Sequence, residues 1–90
     1  MDESITKKEA FSITQLAGSK QLLISGVKVY NKPIHLKIVD ILGNKTSEYI
    51  LSNDPDYVDL SHLENGLYIL LFSSYDQREI LDVKKIYLRD

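Results

Sequence analysis

The sequence predicts an all-β fold, an antiparallel β-sandwich of about seven strands. Three observations carry that expectation. Short apolar runs alternate with turn-formers about every 8–12 residues, as in sandwich domains. Several runs alternate with period two, most clearly Ile34 to Ile41, where Ile34, Leu36 and Ile38 face one way and His35 and Lys37 the other. No run of about 10–12 residues carries a helical apolar period.

Phe11 to Leu16 opens the series, and Ala17-Gly18-Ser19-Lys20 turns the chain into Gln21 to Ser25. Gly26 is expected to allow a bulge or tight bend, because it lacks the Cβ that restricts φ. Val27 to Tyr30 reads as a short extension closed by Asn31-Lys32-Pro33. After the Ile34 strand, Leu42-Gly43-Asn44-Lys45 is a hairpin turn, since Gly and Asn tolerate positive φ. Thr46 to Leu51 returns, Ser52 to Asp56 is a loop, and Tyr57 to Leu60 is a short strand. Ser61 and Glu64 have capping-box spacing, so Ser61 to Gly66 is expected to hold at most one helical turn. Leu67 to Phe72 is apolar throughout, the mark of a central strand covered on both faces. Arg78 to Leu88 is the last strand, and its broken phase calls for a bulge near Asp82–Lys85 to turn Ile86 and Leu88 inward. Two packed sheets with Greek-key connections are the compact solution, an immunoglobulin-like arrangement.

Composition narrows the function. Ninety residues with 43% hydrophobic and 27% charged content fit one globular domain. A net charge of −2 argues against a nucleic-acid binder, which presents a basic face. The absence of Cys removes disulfides, thiol catalysis and thiolate metal sites. No stretch approaches the ~18 apolar residues of a membrane-spanning helix. Residues 1 to about 9 are polar around a lone Ile5 and read as a flexible lead-in, with the sandwich over 10–90. They lack the basic start and apolar run of a secretory signal, so the chain reads as cytoplasmic or as part of a longer protein.

Candidate chemical sites are few. His35 and His62 stand in different elements without a third ligand and read as surface polar residues; a metal site needs three or four converging ligands. Asn53, Asp54, Asp56 and Asp59 could hold calcium through hard oxygens, yet they lack the glycine and terminal Glu of an EF-hand loop and suit a polar turn better. Asp59, Ser61 and His62 lie too close along one turn for a nucleophile–base–orienter relay. Gly18, Gly26, Gly43 and Gly66 each sit alone at a turn, so there is no phosphate loop. Six tyrosines could line a sugar or peptide surface, but Tyr is equally a favoured strand residue, and Tyr68 reads as core. Lys84, Lys85 and Arg89 make the last strand basic, a pattern that also protects an edge strand against aggregation.

Three segments together resemble a known family. Leu36-Lys37-Ile38-Val39-Asp40-Ile41-Leu42-Gly43 is similar to its strand of apolar alternation followed by Asp/Asn-x-x-Gly. Val58-Asp59-Leu60-Ser61-His62-Leu63-Glu64-Asn65-Gly66-Leu67-Tyr68 is similar to the most specific stretch, (I/V)-D-L-S-x-L-x-x-G-x-Y. Lys84-Lys85-Ile86 matches a basic-apolar segment near the chain end. The block from Leu36 to Leu88 thus resembles the C-terminal sorting domain of the type IX secretion system of Bacteroidetes bacteria.

The resemblance implies a non-enzymatic targeting domain at the end of a larger cargo protein. Such a domain passes through the periplasm, is recognised by the outer-membrane secretion machinery, and is cut off by a sortase-like protease, leaving the cargo secreted or at the cell surface. It implies recognition residues Gly43, Asp59, Leu63, Gly66, Tyr68, Lys84, Lys85 and Ile86, of which Lys84 and Lys85 are the expected direct contacts. No cofactor or nucleic acid is expected, and the domain is expected to be a monomer or weak dimer. On this reading the missing signal peptide marks Met1 as the start of an excised piece. The rival reading is an adhesion or carbohydrate-binding sandwich that uses exposed tyrosines.

Overall fold

The computed structural model describes residues 11–16 and 18–90. The expected lead-in over residues 1–9, the domain start at Ala10 and the Ala17 turn position lie outside the described residues. Among the described residues seven strands form: β1 (Ser12–Gln15), β2 (Gln21–Ser25), β3 (Ile34–Asp40), β4 (Lys45–Leu51), β5 (Asp56–Asp59), β6 (Gly66–Ser73) and β7 (Ile80–Leu88). They make two antiparallel sheets, ordered β1-β2-β5 and β4-β3-β6-β7. Sequence-distant β2 and β5 lie side by side, as do β3 and β6, so the chain crosses between sheets as the Greek-key expectation requires.

The core follows from the period-two pattern of the strands. Leu22 and Ile24 from one sheet meet Leu36, Ile38, Leu70 and Phe72 from the other, all fully buried. Phe11 stacks on Phe72 with ring centroids 4.3 Å apart, and on Tyr30 at 5.5 Å. The Tyr30 stacking lies within the roughly 4.5–7 Å range favoured for aromatic pairs, and the Phe72 stacking is slightly closer. Burial of such side chains contributes roughly 1.5–3 kcal/mol each, and with no disulfide the fold rests on this core.

Three local expectations change. Val27–Tyr30 is a 3₁₀ turn instead of an extension. Gly26 at φ 108° makes the tight bend before it, and Asn31 at φ 59° ends it. Residues 61–64 form a turn without a helix, within the expected limit of one helical turn. Strand β6 is central, with β3 and β7 on either side, but its outer face is fully covered only at the Ser73 end. Tyr68, Leu70 and Phe72 point into the core, while Leu67 is 39% exposed and Ile69 and Leu71 are half-buried. The apolar run reflects an apolar outer face, so continuous hydrophobicity did not mean burial on both sides.

The β7 bulge falls earlier than its phase suggested. Phe72 pairs with Asp82 and Ser73 with Ile80, leaving Leu81 as the extra residue. Leu81 packs against the core, and the phase beyond it turns Ile86 and Leu88 inward.

Candidate functional site

The Asp59–Tyr68 stretch folds into a turn stitched together by its own backbone and by a lysine immediately before the neighbouring strand β2. The Asp59 carboxylate, at the end of β5, accepts the Ser61 N–H at 3.0 Å. That bond and a further one from the Ser61 side chain hold the Asp59 pKa below its ordinary value. Ser61 is therefore capped by Asp59, and the expected capping box with Glu64 is replaced by this Asx turn. The Leu63 N–H donates to the Leu60 carbonyl at 3.0 Å, and the Leu63 side chain packs on the core. Lys20 Nζ donates to the Leu63 carbonyl at 2.7 Å. The Leu60 N–H returns a bond to the Lys20 carbonyl at 2.9 Å.

Gly66 starts β6 at φ 156°, and Tyr68 follows with 7% exposure. The Tyr68 hydroxyl donates to the Glu64 carbonyl at 2.8 Å, closing the turn on itself. His62 reaches across to the Ser47 hydroxyl at 2.8 Å, tying the turn to β4. The chemistry available here is positioning: each of these polar groups holds backbone or a neighbouring strand.

Gly43 sits in a second turn of the same design. One oxygen of the Asp40 carboxylate accepts the Leu42 and Asn44 N–H groups, both at 3.0 Å. The Gly43 N–H donates to the Asp40 carbonyl at 2.9 Å. Gly43 adopts φ 90° with open space around it, so the backbone angle alone selects glycine.

Lys84, Lys85 and Ile86 do not form one surface, because successive strand residues point to opposite faces. Lys84 turns toward the inter-sheet side, 18% exposed, with Nζ 3.9 Å from Asp82. It lines an open cleft of about 370 Å³ between β1 and β7, together with Ile13, Gln15, Leu22 and Ile86, and the edge of β7 at Lys85 and Tyr87 borders the same cleft. Lys85 is exposed on the outer face of the four-stranded sheet. Ile86 is half-buried against the core. The family positions therefore fall in three places: the Asp59–Tyr68 turn, the Gly43 turn, and alternate faces of β7.

The remaining candidates have structural duties. Asp54 accepts the Gly26 N–H at 3.1 Å and the Lys28 N–H at 2.9 Å, which lowers its pKa. Asp56 accepts from Ser52, Asn53 and Tyr57 N–H groups. With Asp59 on Ser61, these carboxylates each serve a different piece of backbone, the pattern of a polar loop. His35, expected on the surface, is 6% exposed between the neighbouring Ile50 and Ser73, with Nε2 3.3 Å from Glu48. Tyr30 stacks on Phe11, and the Tyr49 hydroxyl donates to the Asp59 carbonyl at 3.1 Å. Exposed Tyr57 and Tyr87 lie on the outer faces of opposite sheets, and Tyr75 lies in the β6–β7 turn, so they do not converge on one sugar-binding platform.

Sequence reasoning missed three organising residues. Asp40 was legible, since an Asp two residues ahead of a turn N–H is a standard Asx signal. Lys20 and Gln15 were not: Lys20 bonds Leu63, and Gln15 Nε2 donates to the Arg89 carbonyl at 2.6 Å, a partner across the fold.

Comparison with known proteins adds the family. The family model described as a secretion system C-terminal sorting domain matches residues 18–88. No curated protein and no solved structure matches the chain. The match runs from the β1–β2 turn to the last residue of β7; it takes in the Gly43 and Asp59–Tyr68 turns and six of the seven strands, leaving out β1. The chain belongs to the family of type IX secretion C-terminal sorting domains.

Proposed function

We propose that this domain carries a larger cargo protein through the type IX secretion system across the outer membrane, and does so without catalysis. A sorting domain implies the secretion machinery as partner and an upstream cargo. The finer reading adds passage through the periplasm, recognition of the folded sandwich at the outer membrane, and removal by a sortase-like protease. The observation that carries it is the state of the family's most specific stretch. Asp59, Leu63, Gly66 and Tyr68 are used to hold a turn rigid, as a shape read by a partner requires. Gly43, Lys84, Lys85 and Ile86 complete the recognition set in this reading, with Lys85 as the exposed side chain available for direct contact.

The test is to fuse the chain to a periplasmic reporter in a bacterium with the type IX pathway. The reporter is expected at the cell surface or in the medium. Retention in the periplasm at the level of an untagged reporter would defeat the proposal.

A further inference from the structure

The two sheets have unlike outer faces. On the three-stranded sheet, the outward positions are Ser12 and Thr14 on β1, Gln21 and Ser25 on β2, and Asp59 on β5, relieved only by Leu23 beside Tyr57. On the four-stranded sheet, β6 presents Leu67, Ile69 and Leu71, and β7 sets Tyr87 opposite Leu67 and Val83 opposite Leu71. Val83 and Tyr87 are 54% and 56% exposed. Val39 of β3 lies opposite Ile69 and widens the patch. The β3–β4 turn, next to the Leu67 end, adds Ile41 and Leu42 at 67% and 82% exposure. An apolar patch continuous across three strands is unusual on a free surface and marks an interaction site.

The patch is also cationic. Lys85 stands opposite Ile69, exposed and without an ion-pair partner among the described residues. Lys37 stands opposite Leu71. The acidic group of this face, Glu48, is engaged by Lys45 at 3.1 Å and His35 at 3.3 Å. A second copy of the chain is a poor occupant, because a two-fold contact would bring like charges together at its centre. Charge complementarity instead fits a protein surface that is apolar in the middle and carries carboxylates.

We infer that the outer face of the β4-β3-β6-β7 sheet, centred on Leu67, Ile69, Leu71, Val83, Lys85 and Tyr87, is where the secretion machinery docks, through an apolar and acidic protein surface. This inference rests on the sorting function proposed above and gives it a contact surface. Lys85 is then read as the centre of a sheet face, and Lys84, on the other side of the strand, is not part of that contact.

The full chain fused to a reporter tests this with paired variants. Leu67→Ser with Val83→Ser, and Lys85→Glu alone, are expected to lower surface reporter at least tenfold, with matching accumulation in the periplasm. Tyr57→Ser, on the opposite outer face, is expected to export as the unaltered chain does. Lys85→Glu exchanges one exposed polar group for another, so circular dichroism melts are expected to show it folded. If the unaltered chain is retained, the sorting function itself fails and this inference with it. If the unaltered chain is exported and the Lys85→Glu and Leu67/Val83 variants are exported equally, the docking face is overturned and sorting stands. Binding of the purified chain to phosphatidylglycerol vesicles, lost in the same variants, would assign the face to a lipid surface and overturn the protein partner.

Discussion

Asp40 and Asp59 solve the same problem at two turns. Each stands at the end of a strand and uses its carboxylate to satisfy backbone N–H groups that the ladder has released. The family's Asp-x-x-Gly and Asp-x-Ser patterns are, in physical terms, carboxylate-stitched turns. Glu48, Asp54, Asp59 and Asp76 all have pKa values below the ordinary carboxylate range, Glu48 through Lys45, Asp54 and Asp59 through backbone N–H groups, and Asp76 through Ser74. The folded state therefore binds fewer protons than the unfolded one just below the unfolded values of about 4. Their stabilisation is complete above that range and is lost as pH falls through the folded values. Thermal melts from pH 6 to pH 2 are expected to show stability flat at first and then falling below about pH 4; melts independent of pH down to 2 would contradict it. Tyr68→Phe removes the bond to the Glu64 carbonyl and is expected to cost about 1 kcal/mol in denaturant unfolding while the fold persists. Gly43→Ala forces a Cβ into φ 90° and is expected to cost about 1–2 kcal/mol by the same measurement.

Strands β6 and β7 show where pattern reading succeeds and where it stops. The alternation of Ile34, Leu36 and Ile38 was legible because one face is apolar and the other carries the polar His35 and Lys37. In β6 both faces are apolar, and periodicity then says nothing about which side is covered. The bulge was legible as a broken phase in β7, but its position was not, since only pairing with Phe72 and Ser73 singles out Leu81. Asp82 also protects this edge: its carboxylate accepts the Val83 N–H at 2.8 Å and the Phe11 N–H at 3.3 Å, occupying donors that another strand could use. The one-sided burial of β6 separates two neighbouring substitutions. Leu70→Ala is expected to cost roughly 2–5 kcal/mol, through lost transfer energy and a cavity. Leu67→Ser is expected to stay within about 1 kcal/mol of the unaltered chain, as a substitution on an exposed face. Equal losses by chemical denaturation would mean that β6 is buried on both sides.

At the scale of the molecule, the sandwich is closed at both margins by bonds that local sequence does not announce. Gln15 to Arg89 and Lys20 to Asp90 fasten the end of β7 to the other sheet. Tyr49 to Asp59 and Ser47 to His62 close the opposite margin. The class of fold and the turn motifs could be read from residue order because they depend on neighbours a few positions apart. The margins, the Phe11–Phe72 stack and the apolar outer face depend on which strands pair, and that emerges only with the topology. The same division applies to the candidate site. The Asp59–Tyr68 turn was visible as a motif, whereas the separation of Lys84 from Lys85 onto opposite faces needed the strand in place. A rigid framework with a readable surface is what an address requires, and its central claim is directly measurable. The chain is fused behind a secretory leader and a reporter, and surface reporter is compared in a type IX-competent strain and its translocation-deficient sibling. The account predicts surface reporter in the first strain and periplasmic reporter in the second; equal surface signal in both strains, or retention in both, would contradict it.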